Sequence, residues 1–410
     1  MGPLYRQIAS DIASDIQQGI YVSGQKVPSV RKLSQLKAVS ISTINQAYAL
    51  LEDQGYITAK PQSGYYVREG ANDPISPPPV SQGSEPQLVT KSDLIANMLR
   101  GVHSDSVLDL GTAIAHEDYL PLRSLQNHVN KVTRFQTAQV FNYSFSPGYE
   151  PLRRQIATRM RAVNVKCHQE DIIVTQGCSE ALTNCLKVAT KPGDIVAVES
   201  PCYYGFLQLA KQFGLKVIEV PTDAQLGISL DALTLALKQW PVKLIAVSSR
   251  FSNPTGSAIS TNKQKNLYKL AQQFDCFILE DDIYGELGFE NNLNTVLKTF
   301  DEDDRVLYCS SFSKSLSPGL RIGWCIPGRF KEEMILNQTF SSFSPSTISQ
   351  YAVSSYLSTG HYDKHLRKLR QICGENNKEM TALIRQHFPR DTQLTQPNGC
   401  FILWIRLPAG

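Results

Sequence analysis

Leu4, Ile8, Ile12 and Ile16 recur every four residues, the spacing of one helical face, and Gly19 is a natural C-terminal stop. Pro28-Ser29 then opens a second, short helix through Val30, Leu33 and Leu36. Ser40 is a good N-cap for a third helix running to Gly55, with Ile44, Ala47, Tyr48 and Leu51 on its inner face. Beyond it, Tyr56-Ile57-Thr58 and Tyr65-Tyr66-Val67 are β-prone runs around the polar turn Lys60-Pro61-Gln62-Ser63-Gly64, which predicts a hairpin. Three helices and a hairpin thus make a small unit over residues 1–70.

The pattern changes after Gly70. Residues 71–87 carry five prolines and almost no bulky apolar group, so a linker is expected over 71–90. From about residue 91 to 410, helical patterns alternate with short β-rich runs: Ile172–Thr175, Ile195–Val198, Lys216–Val220, Leu244–Val247, Phe277–Glu280 and Val306–Cys309. Several runs are continuously apolar, which suits strands buried on both faces of a mostly parallel α/β sheet.

Composition adds bounds. A chain of 410 residues predicts two or three folding units. With 42% apolar and 19% charged residues it can bury a sizeable core, and its net charge of +4 neither demands nor excludes nucleic acid. No apolar run reaches membrane-spanning length, and the N-terminus lacks a signal-peptide core. The nine cysteines are scattered and form no CxxC pair, which points to free thiols in a reducing cytoplasm. His361 and His365 share a helical spacing but have no third ligand nearby, so no metal site is expected.

The third helix of the small unit offers Ser42, Thr43, Asn45 and Gln46 outward, short donors and acceptors able to reach base edges in a major groove. Arg31 and Lys60 can meet phosphates. Seven Lys/Arg against five Asp/Glu over residues 1–70 make a weak electrostatic footprint. Any exposed helix is polar, so composition alone favours a plain solvated face.

The large unit places four polar clusters just past strand ends, where open α/β sheets carry their sites. They are Gln176-Gly177-Cys178-Ser179 opening a helix; Asn253-Pro254-Thr255-Gly256; Asp281-Asp282-Ile283-Tyr284; and Ser310-Ser311-Phe312-Ser313-Lys314 followed by Gly319-Leu320-Arg321-Ile322-Gly323. Each alone is common. Together they meet the demands of pyridoxal 5'-phosphate (PLP): a lysine amine for the aldehyde, a carboxylate for the pyridine nitrogen, donors for the phenolic oxygen, and a helix N-terminus with hydroxyls and an arginine for the phosphate.

Two resemblances sharpen these readings. Pro28-Ser29-Val30-Arg31, Val39-Ser40, Thr43, Ala47-Tyr48, Leu51, Gly55-Tyr56-Ile57 and Ser63-Gly64-Tyr65 closely resemble the GntR-type winged helix. That resemblance implies that Ser29, Arg31, Ser40, Ser42, Thr43, Gln46 and the Gly64 wing tip approach an operator in double-stranded DNA. Many members carry an arginine early in the recognition helix, where Ile41 and Ser42 stand here. From about residue 105 onward the chain resembles fold-type I aminotransferases, the aspartate aminotransferase fold. Matched motif to motif, Lys314 is the catalytic Schiff-base lysine, Asp281 the pyridine carboxylate, and Tyr284 and Asn253 the donors to the phenolic oxygen. Gly177, Cys178, Ser179, Ser311, Ser313 and Arg321 match the phosphate pocket, and Tyr203 the aromatic that stacks on the ring. Tyr143, in NYSFSPG, matches a tyrosine that reaches the phosphate from the partner subunit of a homodimer.

The two halves in this order resemble the MocR subfamily of GntR regulators. Many members have His-Gln before the Pro-Thr-Gly turn; here Ser252-Asn253 stands there, as in free aminotransferases. A strand is read over Cys400–Leu407. In the family a few dozen residues follow it and carry an arginine for a substrate or effector carboxylate, so the resemblance implies a truncated C-terminal subdomain and does not carry amino-acid turnover over to this chain. The leading expectation is a regulator sensing PLP, or an amine or amino acid that displaces Lys314 and shifts the balance between two domain arrangements. An aminotransferase with an accessory N-terminal domain and a plain PLP reservoir stay open as alternatives.

Overall fold

The computed structural model describes residues 4–17, 20–53, 55–60, 63–68, 80, 83–89, 110–289 and 295–408. The chain divides into two compact units: residues 1–77 with 376–394 and 405–410, and residues 78–375 with 395–404.

In the first unit, α1 (Leu4–Gln17), α2 (Val30–Lys37) and α3 (Ile41–Asp53) precede a hairpin of β1 (Ile57–Lys60) and β2 (Gly64–Val67). Ile8, Ile12 and Ile16 share one core with Leu33, Ile44, Ala47, Tyr48, Leu51, Ile57 and Val67. Two expected apolar positions do not join it, since Leu4 is 52% and Leu36 68% exposed. Leu4 begins the terminal turn of α1. Val30, Leu33 and Leu36 lie about 60° apart around α2, and this eight-residue helix buries only the central one.

The ends of these helices follow their sequence. Ser29 Oγ caps α2 by accepting from Lys32 N (3.3 Å), and Ser40 Oγ caps α3 by accepting from Thr43 N (3.2 Å). α3 stops at Asp53, two residues before Gly55. Gly55, at φ +75°, donates to Glu52 O and Tyr56 donates to Leu51 O, each at 2.9 Å, closing the helix in a Schellman turn. Gly19 lies outside the described residues. The Tyr48 hydroxyl donates to Pro28 O (2.5 Å), and its ring meets Tyr65 edge-on at 4.9 Å, which ties α3 to α2 and to the hairpin.

The second unit is built on a nine-stranded sheet. In chain order its strands are β3 (Gln87–Leu88), β4 (Ile173–Thr175), β5 (Ile195–Ser200), β6 (Lys216–Asp223), β7 (Gly227–Ile228), β8 (Val242–Val247), β9 (Phe277–Asp281), β10 (Val306–Ser311) and β11 (Gly323–Ile326). The spatial order is β3-β6-β5-β8-β9-β10-β11-β4, with β7 on β6. The central run from β6 to β10 is parallel; β3, β7, β11 and β4 pair antiparallel. The six β-rich runs from Ile172–Thr175 to Val306–Cys309 each form a strand, the first starting one residue late at Ile173. β3 falls inside the proline-rich segment, where Gln87 and Leu88 pair with β6 and Glu219 N donates to Ser84 Oγ (3.0 Å). The rest of that segment, Val80 and residues 83–89 excepted, lies outside the described residues.

Helices cover both faces. Alternation sends Val196 and Val198 toward one set, α6 (Cys178–Ala189) and α7 (Tyr204–Gln212), and Ile195 and Ala197 toward another, α8 (Leu230–Gln239) and α9 (Thr261–Gln273). Further helices are α4 (Leu122–Phe135), α5 (Glu150–Ala162), α10 (Lys331–Ser341), α11 (Thr347–Leu357) and α12 (His361–His387). The strand read over Cys400–Leu407 shrinks to β13 (Ile405–Arg406), paired with β12 (Gln393–Leu394). Its start is lost because Cys400 adopts φ +58° and its N–H donates to Leu287 O (2.9 Å).

Among the described residues no helix is long and apolar enough to cross a membrane, and no cluster of His, Cys, Asp and Glu could hold a metal. Replacing the fully buried Ile44 with alanine is expected to destabilise the small unit by about 2–5 kcal/mol in chemical denaturation. The same change at exposed Leu36 should shift stability by less than about 0.5 kcal/mol.

Candidate functional site

The described residues carry two candidate sites, one in each unit. On the first, Arg31, Ser40, Ser42, Asn45 and Gln46 are exposed and Thr43 is half-buried. Three hydroxyls gather at the start of α3: Ser40 Oγ lies 2.8 Å from both Ser42 Oγ and Thr43 Oγ1. Helix N-terminal N–H groups favour anions there. Ser29 is exposed, with its hydroxyl engaged as the α2 cap. Gly64, at φ +106°, turns the wing. A residue the sequence reading passed over joins it. Lys26 bridges to Tyr66, and Lys26 Nζ and Lys60 Nζ stand 5.8 and 4.7 Å from the Tyr66 ring centroid. A lone lysine before Val27 gives no signal until the bridge forms.

In the second unit the sheet brings distant segments together. Ser311 pairs with Gly323, and Gly323 with Thr175, so the ends of β10 and β4 flank the start of β11. Gly177 caps α6 at φ +79°; a Cβ there would lie 2.5 Å from the Arg321 guanidinium. A Cβ on Gly323 would lie 2.5 Å from the Gly177 carbonyl carbon. The backbone at the head of α6 is therefore kept bare. Arg321, itself at φ +53°, donates to Gln176 O (2.9 Å) and Ser313 Oγ (3.4 Å), while Ser313 N donates to Ser311 Oγ (3.1 Å). Ser179 is exposed on the first turn of α6.

Lys314 follows β10 and donates to Ala113 O at 2.5 Å, with its amine 5.8 Å from the Tyr284 ring centroid. Burial lowers its pKa, opposed by the charge of Asp281 and assisted by Arg321. Nothing in the sequence marks Ala113. The turn carrying Lys314 is braced by Ser315 Oγ against Tyr362 Oη (2.6 Å) and by His365 Nε2 against Ser315 O (2.8 Å).

Three consecutive acids, Glu280, Asp281 and Asp282, end β9 and divide their roles by partner. Glu280 accepts from Ser249 and from the N–H groups of Leu297 (2.7 Å) and Lys298 (2.9 Å). Asp282 pairs with buried Arg250 and accepts from Tyr308 Oη (2.6 Å). Among the described residues Asp281 has only Ile283 N (3.1 Å) and the Cys178 thiol (3.4 Å), and burial pushes its carboxyl up to about 6. The Tyr284 phenol, hydrogen-bonded by Asn253, is held well above its usual range by burial. Tyr203 is pushed up to about 12, chiefly by burial and then by the charges of Tyr204, Asp281 and Cys178. A Cβ on Gly205 would fall 2.4 Å from its ring. Tyr143 is not tied into this set. It is 75% exposed, with Phe145 and Phe343 at 6.2 and 5.8 Å between ring centroids.

Residues 4–67 match the bacterial regulatory proteins of the gntR family, and residues 115–410 match aminotransferase class I and II. YjiR of Escherichia coli, an uncharacterized HTH-type transcriptional regulator, is 41% identical over 98% of this chain and 86% of its own. YdcR of the same organism, also an uncharacterized HTH-type regulator, is 36% identical with the same coverage. The chain belongs to the GntR-type regulators that carry an aminotransferase domain, the MocR subfamily. The kynurenine aminotransferase of Pyrococcus horikoshii, solved with PMP, superposes on 78% of this MocR-type chain and 81% of its own with a TM-score of 0.73 at 25% identity. The MocR chain is thus a DNA-binding transcriptional regulator of the fold-type I class, and its cofactor is PLP.

The residues present fit that cofactor. The bare glycine backbone at a helix N-terminus, the arginine and the two serine hydroxyls suit a phosphate dianion. Asp281, which forms no ion pair among the described residues beside two acids that are fully engaged, suits a protonated ring nitrogen. Gly177→Ala is expected to lower PLP affinity at least tenfold in equilibrium binding while leaving the far-ultraviolet dichroism unchanged. For Asp281 the sign follows from its raised pKa. Above pH 6 the wild-type carboxylate is charged and would attract a ring cation; near pH 5 it is protonated and asparagine resembles it. Asp281→Asn should therefore cost at least about tenfold in affinity at pH 7.5, roughly one pKa unit of lost interaction, and much less at pH 5.

Proposed function

We propose that this regulator binds an operator through its winged helix and senses, at Lys314, either PLP itself or an amine or amino acid that reacts with bound PLP. The observation that supports it best is the coexistence, on one chain, of a helix face with exposed donors and acceptors and a pocket whose carboxylate and amine form no ion pair among the described residues. Base edges would be read by Ser40, Ser42, Thr43 and Gln46, with Ser29, Arg31 and the Gly64 wing tip on the backbone. Lys26 and Lys60 beside Tyr66 add charge to the wing.

When bound, PLP supplies an electrophilic aldehyde and an electron-withdrawing ring. Arg321, Ser311, Ser313 and the N–H groups of Cys178 and Ser179 at the glycine-bared helix head would grip its phosphate. Asp281 would hold the proton at the ring nitrogen, Tyr284 and Asn253 would donate to the phenolic oxygen, and Tyr203 would stack on the ring. Burial keeps the Lys314 amine readier to be neutral and therefore nucleophilic. An effector amine taking its place would free Lys314, and the Ala113 carbonyl is positioned to receive the released amine. The exposed Tyr143, Phe145 and Phe343 suit an interface between two copies, which would put Tyr143 at the partner's phosphate and present paired winged helices to a two-fold operator. Nine free cysteines, eight of them buried, suit a reducing cytoplasm.

A second reading, an aminotransferase with an accessory domain, draws on the similarity to the kynurenine aminotransferase. Lys314 would then be nucleophile and general base in turn. Lys314→Ala should abolish the visible absorbance of lysine-linked PLP; a retained band would remove Lys314 from its role. Ser42→Ala and Gln46→Ala should each weaken operator binding by roughly 1–3 kcal/mol in a salt titration, with no loss of cofactor. Brisk turnover of an amino-acid panel without salt-sensitive DNA affinity would transfer the assignment to the enzyme.

A further inference from the structure

Glu199 is an acid that neither half of this account uses. It lies on β5, 3% exposed, and both of its hydrogen bonds go to one oxygen: Ser248 N at 3.0 Å and Ser252 Oγ at 3.3 Å reach Oε2. Among the described residues Oε1 has no partner. The side chain lines a cavity of about 30 Å³ together with Cys202, Tyr203, Ser248, Ser252 and Asp281. That is room for a water. The cavity's wall thus carries two carboxylates, one of them the acid assigned to the ring nitrogen.

We propose that Glu199 is a positioning residue of the cofactor site, a second carboxylate that shares a buried cavity with Asp281, holds a proton in the cofactor-free chain and gives it up when a cation binds at Asp281. This rests on the PLP reading and deepens it. The groups facing Glu199 are few. Lys263, on α9, favours its ionisation, but its amine donates to Leu226 O (2.8 Å) and Gly227 O (3.3 Å). Asp281, on β9, opposes ionisation, and burial opposes it more; together they push Glu199 up to about 7. The Cys202 thiol, itself pushed up to about 12 by burial and then by Glu199 and Glu219, stays neutral. Glu219, on β6, accepts from Ser200 Oγ (2.8 Å). Two like charges enclosed in one cavity cannot both ionise cheaply, so their titrations are pushed apart.

The sign follows. In the cofactor-free chain the Asp281 charge raises Glu199. A cation bound at Asp281 cancels that charge, lowers Glu199 and releases its proton. PLP affinity therefore gains with rising pH through the Glu199 titration. Full-length wild type and Glu199→Gln, each shown folded by circular dichroism, are titrated with PLP from pH 6 to 8. Between those limits wild-type affinity is expected to rise roughly three- to tenfold more than that of the variant, up to one pKa unit of coupling.

Superimposable profiles with normal uptake would overturn the role of Glu199. No PLP uptake by wild type would overturn the cofactor reading instead. Infrared spectroscopy of the cofactor-free chain keeps the proposal testable if Glu199→Gln does not fold. The band of a buried protonated carboxyl that titrates near pH 7 in wild type should titrate at lower pH in Asp281→Asn, where the opposing charge is gone. An unshifted midpoint would contradict the pairing.

Discussion

Strand β11 runs so close to the head of α6 that neither Gly177 nor Gly323 has room for a side chain, and Arg321 fills the space beside them. Much of the pocket's order follows from this contact. It aligns the ends of β4, β10 and β11, which places Ser311, Ser313 and Arg321 around a bare helix N-terminus. It also fixes the turn on which Lys314 leaves β10. The parallel pairing of β9 with β10 sets Asp281 against Cys309, one strand away from the same turn. Two backbones in contact thus convert a sheet register into a bare helix head ringed by an arginine and hydroxyls, the arrangement that suits a dianion.

The second organising principle is the uneven distribution of partners among buried charges. Glu280 and Asp282 are fully engaged by the protein, the latter with a buried arginine, and they hold the loop after β9 rigid. Asp281 and Lys314 are denied equivalent partners. Neutral partners, Ile283 N–H and the Cys178 thiol for Asp281 and the Ala113 carbonyl for Lys314, compensate a buried charge less than an ion pair does, so the cofactor-free pocket would keep a cost that a ligand with a phosphate, a ring cation and an aldehyde could relieve. Glu199 extends the same logic one layer deeper, with one oxygen bonded and, among the described residues, the other without a partner.

Much of this was legible before the structure. The helical period of Ile8, Ile12 and Ile16, the caps Ser29 and Ser40, and the apolar runs from Ile195 to Cys309 each express a local rule, and each formed as read. The pocket motifs were legible because they stand at strand ends in a fixed order. What escaped depends on non-local contact. Leu36 has the right spacing, but its helix is too short to bury a wide stripe. Cys400 looked like strand until its N–H turned to Leu287. Ala113, Lys26 and Glu199 carry no motif; they matter only because a lysine, a wing or a cavity comes to lie beside them. Tyr143 is matched by its motif, and its surroundings here are aromatic neighbours rather than the phosphate pocket.

The central claim is that the pocket and the DNA-reading face report on one another. Linkage makes that claim reciprocal: if PLP changes operator affinity by some factor, the operator must change PLP affinity by the same factor. The direct measurement is operator binding by the full chain at fixed salt, with and without saturating PLP, paired with PLP binding with and without saturating operator. The account predicts equal coupling factors of roughly five- to 150-fold, lost in Lys314→Ala. Affinities that stay independent in wild type would show two sites that merely share a chain, and would contradict it.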